Sequence, residues 1–203
     1  MSVRSVTLIA LSLIVCLMGS LSLAGCDRQS GPATQDEAGK SGSDSSDRDS
    51  EGALSGTQDS GHAGSLIPAV NVKKPDGTEL NLGALQGEPV LLNLWATWCA
   101  PCVTEMPMLD DLAGSYAGKL RVVTVSQDIT GADQVVPFFK ERGFVHLEPW
   151  MDEETELSFR LESGQLPLTI LYDEQGQEIW RVAGGYDWSG TQARAMIDEG
   201  LGG

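Results

Sequence analysis

Two cysteines separated by two residues, Cys99-Ala100-Pro101-Cys102, are the part of this chain best suited to chemistry. They stand between segments of different period. Upstream, Val90, Leu91, Leu92, Leu94, Trp95 and Ala96 make a nearly unbroken apolar run, the pattern of a strand buried on both faces. Downstream, Cys102, Glu105, Met106, Leu109, Leu112 and Ala113 recur every three or four residues, which is helical spacing. A Cys-x-x-Cys at the start of a helix sets sulfur beside amides with no partner inside the helix and beside the positive end of its dipole. Both favour the thiolate, the form that attacks disulfides. Thiol–disulfide exchange is the chemistry the pair predicts.

The remaining cysteines, Cys16 and Cys26, fall in a different kind of sequence. Arg4 gives a short positive start, Val6 to Leu23 is apolar apart from scattered Ser, Thr and Gly, and Leu23-Ala24-Gly25-Cys26 supplies small residues at a cleavage point. That is the pattern of an export signal over residues 1–25. A retained membrane helix is the other reading, since a span takes roughly 17–25 residues, although Gly19, Ser20, Ser22 and Gly25 weaken the distal half. Leu-Ala-Gly-Cys resembles the lipobox of bacterial lipoproteins, in which the chain is cut before the cysteine and that cysteine, here Cys26, is lipidated. Either outcome predicts a globular part outside the cytoplasm and tethered to a membrane. Asp27 resembles the signal that holds such proteins at the inner (cytoplasmic) membrane in some bacteria.

With Cys16 removed and Cys26 capped, only Cys99 and Cys102 remain as free thiols. A disulfide-stapled scaffold needs more cysteines. A structural zinc site needs four ligands, which this pair with His62 and His146 does not readily supply, so no metal is expected.

Residues 26–65 read as a disordered tether. Leu54 is their only large aliphatic side chain, and Ser, Gly, Asp, Glu and Gln cannot bury enough apolar surface to offset ordering. Asp27, Asp36, Glu37, Asp44, Asp47, Asp49, Glu51 and Asp59 outweigh Arg28, Lys40 and Arg48, and their repulsion favours an extended chain. The net charge of the whole sequence is −16. That balance disfavours nucleic acid and anionic membrane as partners and is compatible with a basic substrate.

Residues 66–203 are of a size for one domain with one core. Ala69–Val72 and Glu79–Leu82 flank the turn Lys74-Pro75-Asp76-Gly77 as an N-terminal hairpin. After the cysteine helix come a strand over Leu120–Ser126, a helix over Asp133–Arg142 stopped by Gly143, and a short strand within Leu147–Met151. A short helix in Glu153–Leu161 follows, then a hairpin of Leu168–Tyr172 with Glu178–Ala183, and a closing helix over Thr191–Leu201. This order predicts an α/β fold with a mixed central sheet flanked by helices.

Trp98-Cys99-Ala100-Pro101-Cys102, Pro107 five residues on, and Leu166-Pro167 before a strand together resemble the thioredoxin superfamily. Asn93 in the central strand, the run Trp95 to Cys102 and Glu105 three residues past the second cysteine resemble its membrane-anchored TlpA/ResA-like branch. The resemblance covers residues 66–203 and implies a thioredoxin-like fold and a redox-active Cys99–Cys102 disulfide with no other cofactor. It implies Cys99 as an exposed nucleophile, Cys102 as the more buried resolving thiol, and Glu105 as a buried acid taking the Cys102 proton. It further implies a cis Leu166–Pro167 bond, with Leu166, Pro167 and Trp98 at the substrate groove. Leu168 departs from the Thr that usually follows the proline. By itself Glu105 also reads as an early-helix carboxylate favoured by the dipole, and Pro107 as a helix kink.

The implied function is reduction of disulfides in exported proteins, apocytochrome c first among them, by a monomer that a membrane dithiol donor re-reduces. A rival reading is a tethered copper(I)-binding assembly factor, since soft thiolates suit that metal. Its weak points are the close cysteine spacing and the lone domain histidine, His146, in a Phe-Val-His-Leu run that reads as the start of a strand.

Overall fold

The structure, a computed structural model, describes residues 54–202. The expected signal segment, the lipidation candidate Cys26 and most of the expected tether lie outside the described residues. Among the described residues no helix is long and apolar enough to cross a membrane.

One mixed sheet organises the domain. Its strands are β1 (Thr57–Asp59), β2 (Asn71–Lys73), β3 (Glu79–Asn81), β4 (Val90–Trp95), β5 (Arg121–Ser126), β6 (Trp150–Met151), β7 (Leu168–Tyr172) and β8 (Glu178–Ala183), in spatial order β1-β8-β7-β4-β5-β6-β2-β3. β4, β5 and β6 are parallel, and β7 and β8 turn back antiparallel beside β4. The helices are α1 (Ala100–Ser115), α2 (Ala132–Arg142), α3 (Glu156–Arg160) and α4 (Thr191–Gly200).

Strand period sorts β4 into two faces. Val90, Leu92 and Leu94 join one apolar cluster with Val123, Val125, Ile170, Tyr172 and Leu157. Leu91 and Trp95 join the other with Met106, Leu109 and Leu112 of α1 and Ala193 and Ile197 of α4. Every residue of β4 is buried, which is why the strand reads as a continuous apolar run. Met106, Leu109 and Leu112 are at most 1% exposed, and each contributes on the order of 1.5–3 kcal/mol by leaving water. Asn93 points to the α1 side from the centre of the sheet, paired in register with Thr124 on β5 and Thr169 on β7.

Local chemistry sets the element ends. Pro101 occupies the first turn of α1, where its missing N–H costs no intrahelical bond. The helix continues through Pro107 to Ser115. Gly143 adopts the left-handed conformation after α2 and donates to the Phe139 carbonyl, the stop its position predicts. Asp110 on α1 accepts the backbone N–H groups of Val145, His146 and Leu147, pinning the loop that leads toward β6.

Two expectations are corrected. The folded chain begins before residue 66, because Thr57–Asp59 pair antiparallel with Arg181–Ala183 at the sheet edge. All three side chains of β1 are exposed. Backbone pairing alone makes this strand, so no apolar pattern marks it. His146 lies in the loop rather than at the start of a strand, which runs only over Trp150–Met151.

Candidate active site

β4 ends at Trp95, and the turn beyond it carries the cysteines. Asp128, at the end of β5, holds that turn: its carboxylate accepts the Thr97 N–H at 3.0 Å and the Thr97 hydroxyl at 2.7 Å. The Ser126 hydroxyl donates to the same carboxylate at 2.7 Å, so the anchor is itself anchored. Trp98 follows, 71% exposed. Cys99 is the N-cap of α1, with extended backbone, and its Sγ accepts the Cys102 N–H at 3.4 Å. The sulfur therefore sits where an unpaired helix amide points, the environment that stabilises a thiolate once the bond is reduced.

Cys99 and Cys102 are joined in a disulfide, their Cα atoms 5.2 Å apart. Cys102 is fully buried and Cys99 is 6% exposed. Cys99 is the more accessible residue of the pair, but the open exposure expected for it is absent. Its side chain turns into the helix start and joins the apolar cluster on the α1 side of the sheet, against which Leu166 and Tyr186 also pack. Leu168 lies opposite Leu94 in register, so Pro167 falls at the β4 end from which the cysteine turn departs. The Leu166–Pro167 peptide is cis.

Glu105 is one turn beyond Cys102 on the same face of α1 and is fully buried. Its Oε1 accepts from Asn93 Nδ2 at 2.8 Å, and its Oε2 accepts from the Tyr186 N–H at 3.0 Å and from Trp188 Nε1 at 3.2 Å. Asn93 Nδ2 also donates to the Thr169 hydroxyl at 2.9 Å, so both of its N–H donors find partners from within the apolar strand, while its Oδ1 has none among the described residues. Two effects compete at the carboxyl. Burial penalises the charged form, while the three donors favour it, and no cation among the described residues assists them. Burial wins, and the pKa is raised from the ordinary 4.5 to about 7.

The structure thus brings Cys99, Cys102 and Glu105 to one helix start, with Trp98, Leu166 and Pro167 at the same end of the sheet. The two donors from the loop after β8, Tyr186 and Trp188, have no signal in the sequence. They lie in a Gly-, Asp- and Ser-rich stretch without period, and Trp188 is nevertheless fully buried. His146 stands apart: a Cβ built on Gly114 would meet its Nε2 at 2.6 Å. Gly114 is twelve residues beyond Cys102, or roughly 18 Å along the helix axis, so this imidazole does not share a site with the sulfurs. Among the described residues no three His, Cys, Asp or Glu side chains group as metal ligands.

A helix-capping Cys-x-x-Cys disulfide at the end of the central strand of a thioredoxin-like sheet defines the class of thiol–disulfide oxidoreductases. Comparison with known proteins agrees with it: residues 63–196 match the model of the AhpC/TSA family, and the chain belongs to that family. Relatives include the thiol-disulfide oxidoreductase ResA of Bacillus cereus, 29% identical over 60% of this chain and 69% of the relative. The ResA of Oceanobacillus iheyensis is 34% identical over 50% of this chain and 53% of its own length. The crystal structure of StoA from Bacillus subtilis superposes with a TM-score of 0.53 at 22% identity, covering 66% of this chain and 98% of StoA, and so shares the fold.

Proposed function

We propose that this protein is an extracytoplasmic, membrane-tethered oxidoreductase that reduces disulfides in exported proteins, with apocytochrome c and its Cys-x-x-Cys-His pair as the leading substrate. The observation that carries the reading is the Cys99–Cys102 disulfide at the start of α1 with Glu105 buried one turn on. In the reduced protein the Cys99 thiolate attacks one sulfur of the substrate disulfide. A Cys99–substrate bond forms, and the displaced substrate sulfur leaves as a thiolate that takes a proton from water. Cys102 then passes its proton to Glu105 and attacks Cys99 Sγ, freeing the second substrate thiolate and restoring the Cys99–Cys102 bond. Two electrons have moved from protein to substrate, and a membrane dithiol donor returns them.

Trp98 and the Leu166–Pro167 edge form the landing surface for the extended substrate segment, whose backbone pairs as an added strand. Cys26 carries the lipid, the acidic chain after it acts as the tether, and the protein works as a monomer. Glu105 is charged above about 7, and in that form it can accept the proton that Cys102 gives up.

Cys102→Ser tests this directly. Lacking the resolving sulfur, the variant is expected to accumulate mixed disulfides on Cys99 in the cell, released by dithiothreitol and absent from the Cys99→Ser/Cys102→Ser double variant. Mass spectrometry of the captured proteins should return exported proteins with paired cysteines. A Cys102→Ser protein recovered with no adduct would contradict the mechanism. Capture confined to proteins without cysteine pairs would contradict the substrate class.

A further inference from the structure

The turn after β8 joins three parts of the site, and one of them lies ahead of the region matched to the family. Gly184 N–H donates to the Pro167 carbonyl at 2.9 Å, the Gly185 carbonyl accepts the Gly56 N–H at 2.7 Å, and Tyr186 N–H donates to Glu105 Oε2 at 3.0 Å. Gly56 belongs to a strap that includes residues 54–59 and precedes residue 63, where the match to the AhpC/TSA family begins. The approach is close. A Cβ on Gly56 would lie 2.5 Å from the Gly184 carbonyl oxygen and 2.9 Å from that of Gly185. A Cβ on Gly185 would lie 2.9 Å from Pro101 Cβ and 3.0 Å from Leu54 Cδ2, so Gly185 packs closely against both the cysteine motif and the strap.

The Gly185 carbonyl and the Tyr186 N–H belong to a single peptide unit, which is planar and rigid. One end of that plane is held by Gly56 and the other points its N–H at Glu105. We propose that the strap is a positioning element of the redox site: Gly56, acting through the Gly185–Tyr186 peptide, aims the amide that Glu105 accepts. The inference rests on the reading of Glu105 as the group that takes the Cys102 proton. β1, clamped on β8 by the pairs Thr57–Ala183, Gln58–Val182 and Asp59–Arg181, keeps Gly56 in place. Detaching the strap leaves the peptide free to rotate, and the carboxylate loses one of its three donors.

The sign of the consequence follows from what faces Glu105. β4 contributes Asn93, which links it to Thr169 of β7, and the loop after β8 contributes the Tyr186 N–H and the Trp188 indole. None of these titrates near neutrality, and the Cys102 thiol a turn earlier on α1 is the titratable neighbour. The Tyr186 N–H lowers the Glu105 pKa, so its loss raises it.

The test uses the full-length protein and the pH dependence of the resolving step, the release of a substrate thiol from the Cys99 mixed disulfide. The wild type is expected to show an inflection that Glu105→Gln removes. In Gly56→Ala, whose added methyl does not fit against the Gly184 carbonyl, that inflection should move up by roughly half a pH unit or more. Amide exchange at Tyr186 should quicken in the same variant. Leu54→Gly leaves the strand pairing intact and should move the inflection the same way by less, which keeps the test informative where Gly56→Ala folds poorly. Combined with Glu105→Gln, neither change should alter the profile. A wild-type inflection that both strap variants leave in place would overturn the inference alone. A wild-type profile with no inflection dependent on Glu105 would overturn the functional reading of Glu105 and this inference with it.

Discussion

Cys99→Ser should abolish disulfide exchange, leaving reduction of a substrate disulfide such as insulin at the uncatalysed background. The reason lies in acidity and geometry together. Cys99 Sγ is the sulfur at the helix N-cap, where the Cys102 N–H points at it, and Cys99 is the residue of the pair that retains any exposure. A serine hydroxyl at that position is not ionised by a helix terminus and forms no bond to sulfur under these conditions. Cys102 does not substitute for it, since that residue is fully buried. The fold should survive the change, because serine nearly matches the volume of Cys99 within the cluster it shares with Met106, Leu109 and Leu112. Unchanged far-UV circular dichroism together with lost turnover is the expected pair of results. Turnover retained at more than a small fraction of wild type would mean that another sulfur performs the attack.

Glu105→Gln carries the second large effect, on rate and on stability. Removing a positioned proton acceptor is expected to slow the resolving step by on the order of 10²–10⁴. Glutamine keeps the shape but sets an NH₂ group against donors, either Asn93 Nδ2 or the Tyr186 N–H and Trp188 indole. The stability effect has a definite direction. The folded-state pKa, about 7, lies above the ordinary 4.5, so between these values the native protein binds more protons than the unfolded chain. Stability therefore falls as pH rises through that window and stays low above it. The full span corresponds to about 3 kcal/mol. Wild type should accordingly gain denaturant resistance between pH 8 and pH 5 from this group, and Glu105→Gln should lack that gain. Parallel stability curves for the two proteins across this range would show that the carboxyl titrates normally despite its burial.

The parts of this molecule legible from sequence are those encoded locally. The all-apolar run of β4 announces burial on both faces, the spacing from Cys102 to Leu112 announces α1, and the turns at Lys74–Gly77 and Asp173–Gly176 announce their hairpins. Asn93 within that run signals an internal hydrogen-bond network, though not its members. What stays hidden depends on contacts distant in sequence. β1 offers no apolar pattern because its three side chains face solvent and its partner, β8, lies more than a hundred residues away. Asp128 reads as an ordinary polar residue after a strand until its carboxylate is seen holding Thr97. The spacing of Glu105 puts it on the face of Cys102, while the donors that define its environment come from residues 186 and 188. The low exposure of Cys99 is of the same kind, since helix position reveals which sulfur is nearer the end and not what packs over it.

The central claim is that Cys99 is held where helix amides make its sulfur anionic, and the ionisation of that thiol tests it most directly. In the reduced protein, the rate of alkylation of Cys99 by iodoacetamide, followed across pH in Cys102→Ser, should rise to its plateau with a midpoint at or below roughly 7.5, against about 8.5 for a free cysteine. A midpoint at or above the free-cysteine value would contradict the account.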